Sequence, residues 1–550
     1  MWAFAFTSLL SPVSGAEKVY KADYVIVGVG AAGAEVAKIL SDNHEISVIV
    51  LEAGANHDND TPIKDSQFAP ILESNFFPQY FYQLQQVVQE NAPGVVFNYT
   101  TGRLFGGGTS INGEQYVEGT NQLYDKWEDK LGSFWSVEKI RRAFKKVEKY
   151  NGKTTERHER GESGAVDVRQ APAVPTSMAT KFVNAVAEST GVAEILDYNI
   201  PQTELGPFTR WQLSQKPNGN RESSSTAFLH PVLRSDNTGK DGRQLRVLDK
   251  TTALRVLFNK EKEAIGVEAL QDGESIKVLA DKEVILCAGI YSPCLLQLSG
   301  IGPRSVLECA GVKVLFDNHN VGNNLVNQLT TVAVLTANPN DVGVPASDPD
   351  ALYVGGAFLR DPAEADNVSP RGLRGVQLIG VSPEPGSFVI AIIASQPKSR
   401  GVVAIQSSDP FQIPLVDDRA FSNPADLETF KEIFRVYIKE IANQLNANDP
   451  LYNLVAPSEA VIDDDAALEA YILSTLDHTH HWTGSCQMGR SDRDGVTDKR
   501  GKVFGVKRLR VIDDSIAPFI PDGNTQACAY MLARRIGEDI AKRDRSKSKH

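Results

Sequence analysis

The sequence predicts an α/β protein, and three observations predict it. A run of β-branched residues, Tyr24 to Val27, leads into Gly28, Gly30 and Gly33, spaced G-x-G-x-x-G. A helix-like stretch, Ala34 to Leu40, and a second apolar strand, Ser47 to Leu51, follow it and close on Glu52. A Pro/Gly-rich region from Asn338 to Gly386, with alternating apolar residues nearby, reads as sheet and loops of a different domain. Length agrees: 550 residues exceed what one core serves, so two domains or one large composite unit are expected.

Each part of the opening unit has a chemical reason. Gly28 permits a tight turn, Gly30 lets backbone approach a pyrophosphate, and Gly33 lets helix pack on strand. The helix N-terminus presents unpaired N–H groups and a positive dipole end to phosphates. Glu52, about 20 residues further on, suits a ribose diol rather than a 2′-phosphate. Three glycines alone would also describe a plain strand–helix turn. Strand, helix, second strand and acid in order describe a dinucleotide site.

Residues 56 to 100 are polar and aromatic with little periodicity and read as long loops. Ile140, Phe144 and Val147 fall at helical spacing within Lys126 to Asn151, which predicts a surface helix. Gln244–Leu248, Ala253–Phe258 and Glu283–Gly289 read as strands, Asp426 to Leu445 and Gln526 to Lys542 as helices.

A net charge of -12 argues against a nucleic-acid partner, because no excess of Lys and Arg meets the phosphates. The basic tail Lys542 to Lys549 reads as a solvated, frayed terminus. No apolar run approaches the roughly 18 residues of a membrane span, so stable membrane insertion is not expected. Trp2 to Leu10 form a short apolar stretch ending near Ser14-Gly-Ala16, which resembles a signal-peptidase site without a basic leader. Export is slightly favoured over a soluble intracellular location, and the triplets at Asn59, Asn98 and Asn367 are compatible with glycosylation. Five scattered cysteines (Cys287, Cys294, Cys309, Cys486, Cys528), with no C-x-x-C pair, predict neither a disulfide scaffold nor structural zinc.

Three further segments carry chemistry. Gly102 to Gly113 holds Gly106, Gly107 and Gly108 between Leu-Phe and Thr-Ser-Ile-Asn, which suits a loop laid flush against a planar or anionic ligand. Cys287 to Pro303 reads as a buried strand, a turn and a short apolar helix stopped by Gly and Pro. His478-Thr-His480-His481-Trp-Thr-Gly484-Ser-Cys486 precedes Gly523-Asn524-Thr525 by about 40 residues. A metal site from His478, His480 and Cys486 lacks an acid cluster to complete it, so no metal is predicted. His481, followed by small residues as in a cleft, is the catalytic candidate.

These segments, in this order, resemble the glucose–methanol–choline family of FAD-dependent oxidoreductases. Gly289 to Pro303 resembles the family's second signature closely, and Gly219 to Ser223 with Ala227 to Pro231 resembles another shared stretch. The likeness runs in pieces from residue 22 to 541, and about 335 to 465 is the part without a match. It implies a Rossmann-like FAD-binding domain, discontinuous over 20–155, 205–334 and 466–545. It also implies a discontinuous α+β substrate domain, antiparallel sheet plus helices, over 156–204 and 335–465; residues 1–19 are an N-terminal segment.

Carried over position by position, the likeness puts FAD contacts at Gly28, Gly30, Ala31, Ala32 and Gly33, and at Glu52 and Ala53. Further contacts fall at Arg103, Gly106, Gly107, Thr109, Asn112 and Gly113. The remainder are Ala253, Ala288, Gly289, Asp513, Asn524 and Thr525. His481 takes the slot of the active-site histidine and Asn524 that of its partner. An imidazole of pKa near 6.5 would take the hydroxyl proton as hydride moves to flavin N5, a contribution of about 10²–10⁴ in rate; the amide would hold the oxygen.

Departures matter too. Ile111 stands where some relatives carry a flavin-linking histidine, so FAD is expected to be non-covalent. Asn327-Gln328 replaces the usual Asp-His and puts a local flavin-domain contact in question; Gly108 and Thr109 replace a pair of serines. The expectation is an alcohol oxidase or dehydrogenase acting on a primary alcohol, with oxygen or another electron acceptor. A hydroxynitrile lyase on the same fold and a redox-silent flavin protein are the alternatives.

Overall fold

The computed structural model describes residues 18–67, 77–85 and 87–547, the side chain of Lys547 excepted. The signal-like stretch Trp2 to Ala16 lies outside the described residues.

The β-branched run ends the strand Lys18–Val27, whose residues Val25 and Ile26 are fully buried. Such a strand needs apolar cover on both faces, which parallel neighbours with crossover helices provide. Val48–Leu51 pairs parallel on one side and the long strand Glu274–Leu286 on the other. The sheet runs Leu245–Leu248, Val48–Leu51, Lys18–Val27, Glu274–Leu286, Ala264–Gln271 and Thr251–Phe258, with Leu509–Val511 added parallel to Glu274–Leu286. Ala264–Gln271 runs antiparallel to both its neighbours, Glu274–Leu286 and Thr251–Phe258. Helix Ala31–Ser41 lies against helix Gln526–Lys547, where the buried Glu35 carboxylate meets Arg534 at 2.6 Å.

A second sheet is antiparallel throughout. Its order is Leu454–Ala456, Leu329–Thr336, Ser387–Ala394, Val376–Val381, Gly356–Leu359 and Gly206–Phe208, and Asp477–His478 also pairs with Leu329–Thr336. Helices Ser177–Thr190 and Lys439–Asn448 pack on each other and bury Phe182 and Leu445 in the same core.

Two expectations are corrected. The single helix over 126–151 is two, Asn121–Leu131 and Val137–Val147, running into a strand, Glu148–Tyr150. Gly132, at φ +81°, ends the first in a conformation that L residues rarely adopt. Nor does the basic tail fray at Lys542: the helix continues to Lys547. Asp544 fastens it, accepting from Tyr24 Oη at 2.8 Å and Lys282 Nζ at 3.2 Å.

Candidate active site

The turn after Val27 explains its glycines by contact. Gly28, at φ +96°, donates to Leu51 O at 2.8 Å, and a Cβ on it would stand 2.5 Å from Cys287 O. A Cβ on Gly33 would stand 2.0 Å from Gly28 O, so helix and strand are in backbone contact. Gly30 differs: a Cβ there would meet nothing within 4 Å. No side chain caps the helix that starts at Ala31 and Ala32, so its first N–H groups remain available to an anion. Glu52 accepts from Val29 N at 3.0 Å on one oxygen and from Gly54 N at 2.8 Å on the other. Burial pushes its carboxyl up to about 7 against those bonds. Ala53, beside it, is half-buried.

The glycine loop crosses this turn. A Cβ on Gly107 would stand 3.0 Å from Gly30 Cα, so the two glycine segments touch. Gly108 and Gly289, like Gly30, would project a Cβ into open space. Neighbouring side chains face inward and hold the loop. Thr109 Oγ1 donates to Gly106 O at 2.7 Å and accepts from Ser224 N at 2.9 Å. Asn112 donates to Gln526 Oε1 at 2.5 Å and accepts from Arg221 Nη1 at 2.9 Å. Gly113 O accepts from Tyr353 Oη at 2.8 Å. Arg103 is exposed, its guanidinium 5.0 Å from the Tyr82 ring centre. Ile111 packs with Ile63, Tyr80, Phe81 and Leu104.

Asp513 ties two further predicted contacts together, accepting from Gly289 N at 3.0 Å and from Ser292 Oγ at 2.6 Å. Ser292 Oγ in turn accepts from Ala288 N at 3.1 Å. Thr525 hydrogen-bonds Asp514, and Ala253 lies half-buried in the strand Thr251–Phe258. Thr109 and Asp513 thus hold glycine backbone in place by their side chains, while Asn112 ties the loop to Gln526 and Arg221.

His481 and Asn524 come from distant loops and meet. His481 follows Asp477–His478 of the second sheet; Asn524 precedes helix Gln526–Lys547, which packs beside the first. Asn524 Nδ2 lies 3.4 Å from His481 Nε2. Three glutamines surround the pair. His481 Nδ1 is 2.7 Å from Gln328 Oε1, Asn524 Nδ2 donates to Gln115 Oε1 at 2.7 Å, and Gln377 Nε2 donates to Asn524 Oδ1 at 2.9 Å. Asn327 Oδ1 accepts from His481 N at 2.9 Å while its amide donates to the buried Asp418 at 2.7 Å. The Asn327-Gln328 departure thus bears on the histidine. None of the three glutamines stood out in the sequence as site residues, because amides carry no motif; only the break at 327–328 was a signal.

The expected imidazole pKa is corrected. Burial, with the neighbouring His480, holds His481 down to about 3, although part of its surface stays accessible. It is neutral at every ordinary pH, at the cost of basicity. His478 and His480 stack edge-on at 4.2 Å in an aromatic cluster with Tyr99 and Trp482, and burial raises the Cys486 thiol well above its usual range.

Set against known proteins, the description GMC oxidoreductase matches residues 22–330 and again 397–533. The chain belongs to the GMC oxidoreductases. That family is FAD-dependent, and the chain is an oxidoreductase acting on CH–OH groups. This GMC oxidoreductase is 30% identical to an oxygen-dependent choline dehydrogenase of Photobacterium profundum, over 94% of this chain and 92% of that one. It is 29% identical to an alcohol dehydrogenase [acceptor] of Pseudomonas putida, over 95% and 96%. In fold it is similar to pyridoxine 4-oxidase from Mesorbium loti (TM-score 0.83, 22% identity, 94% and 99% covered). The residues fit the family's cofactor: Gly30, Gly108 and Gly289 leave open the space a side chain would fill, beside an uncapped helix N-terminus. Among the described residues no helix is long and apolar enough to cross a membrane.

Proposed function

We propose that this GMC oxidoreductase converts a primary alcohol to an aldehyde, with His481 as general base and Asn524 as its partner. The observation that carries this is the 3.4 Å approach of Asn524 Nδ2 to His481 Nε2. A contact that long is weak, and a substrate hydroxyl entering between the two displaces it without loss. The alcohol oxygen then accepts from Asn524 while its proton goes to His481 Nε2. Asn524 cannot rotate away, because Gln377 and Gln115 grip its oxygen and its nitrogen. FAD, when bound, supplies the two-electron acceptor for the carbinol C–H. The turn at Gly28 to Gly33 with Glu52, and the loop Gly102 to Gly113, would hold it. The FAD-binding part is assigned to 20–155, 205–334 and 466–545 and the substrate part to 156–204 and 335–465, with the strands Gly206–Phe208, Leu329–Thr336 and Asp477–His478 lent to the second sheet.

The test is anaerobic. Purified yellow protein is mixed with primary alcohols and the oxidised-flavin absorbance is followed. Bleaching supports the reading. Cyanide release from a cyanohydrin without bleaching assigns the lyase, and neither response assigns a silent flavin carrier.

Two outcomes follow from the site. With the base pKa near 3, the acid limb of the reduction rate lies far below 6.5. Protonation removes the base, so activity falls as pH drops toward 3. A limb near 6.5 would show that His481 is not held down by burial. Secondly, acid precipitation releases all the yellow pigment to the supernatant, because Ile111 offers no nucleophile for a flavin link; colour left in the pellet would refute non-covalent binding.

A further inference from the structure

We propose that Gln328 is a positioning residue that locks the His481 ring in one tautomer, hydrogen on Nδ1 and lone pair on Nε2 facing Asn524. The inference rests on the proposed role of His481 and adds the device that makes its Nε2 the basic atom. It is carried by hydrogen-bond geometry. The Gln328 amide nitrogen donates to two backbone carbonyls, Ser395 O and Pro521 O, each at 2.9 Å. Reversing the amide would set an oxygen against both carbonyls, so its orientation is fixed by its surroundings. Gln328 is fully buried, and water offers it no alternative partner.

Its oxygen therefore faces His481 Nδ1 at 2.7 Å, and an amide oxygen only accepts. Nδ1 must carry the hydrogen. In a neutral imidazole Nε2 is then the unprotonated nitrogen, and the tautomer is set from the far side of the ring. Asn524 agrees. Its oxygen is claimed by Gln377 Nε2 at 2.9 Å, so the atom it turns to His481 Nε2 is a donor, which needs a lone pair opposite. The Asn524 amide, in this orientation, matches the tautomer that the backbone-anchored Gln328 specifies.

A neutral acceptor has a second effect. A carboxylate at this place would stabilise the imidazolium and raise its pKa; an amide does so far less. The titratable groups around His481 are His480 and His478 on its own segment, Asp418 reached through Asn327, and Tyr99, whose ring lies against His478 and Trp482. No charged group among the described residues hydrogen-bonds the ring, so Gln328 alone decides what Nδ1 meets.

The test has a spectroscopic and a kinetic arm. In holoenzyme labelled with ¹⁵N-histidine, the His481 signals, assigned by their loss in His481→Ala, are expected at positions of an Nδ1–H neutral ring. An Nε2–H pattern overturns the proposal and leaves the need for His481 to its own test. Gln328→Met, of similar length but without an acceptor, is expected to keep FAD and KM while kcat falls on the order of 10²-fold. A yellow Gln328→Met enzyme with wild-type kcat overturns it.

Discussion

Replacing His481 by alanine is expected to slow alcohol-dependent bleaching of the flavin by about 10²–10⁴-fold while the protein stays yellow. The ring's bonds go to Gln328 and Asn524, and the open positions at Gly30, Gly108 and Gly289 belong to other segments, so cofactor binding should survive. The variant loses some stability, about 1–3 kcal/mol, because the Gln328 oxygen is left buried without a donor. Anaerobic stopped-flow of the variant against wild type measures the effect. Reduction at the wild-type rate would remove His481 from the base role and with it the chemistry proposed for the site.

Gly33→Ala should cost the protein its cofactor and much of its stability. The added methyl would stand 2.0 Å from Gly28 O and 3.1 Å from Cys287 Cβ. The nearer atom is backbone in the central strand region, with no flexible end to move aside. Helix Ala31–Ser41 must shift off the strand, an overpacking cost of about 3 kcal/mol or more. Gly30→Ala is the contrast. Its methyl meets no protein atom within 4 Å, so the apoprotein should melt as wild type does, yet bind FAD at least about tenfold more weakly, through a clash worth about 1.4 kcal/mol. Thermal melts of apoprotein and flavin titrations separate the two. Equal effects of the two substitutions would mean that the space at Gly30 is not the cofactor's.

The opening unit was legible in the sequence because its constraints are local: Gly28 and Gly33 are dictated by atoms within a few residues or in the adjoining strand. The pairing of His481 with Asn524 was legible only through family likeness, since 43 positions separate them. The amides around them were not. Gln115, Gln328 and Gln377 arrive from three distant stretches, and a glutamine in a row of apolar residues looks like any other. Asn327-Gln328 was read as a question about the flavin domain because sequence order cannot show which partner a loop faces. The imidazole pKa was misjudged for a related reason: burial is a property of the folded whole. Helix boundaries over 126–151 failed where Gly132 hid inside a helical pattern.

The strand order of the parallel sheet also governs how the protein comes into being. Lys18 is registered against Ile276, and the sheet gains Leu509–Val511 only after nearly all the described chain has been made. Pairings of such long sequence separation form slowly, since loop-closure entropy is lost before any contact rewards it. During synthesis one edge of the first strand meets Val48–Leu51 early, while the other, a row of unpaired N–H and C=O groups, waits for Glu274–Leu286, a state prone to aggregation. Flavin can be captured stably only after that wait, so cofactor supply late in translation, rather than early, should govern the yield of active enzyme.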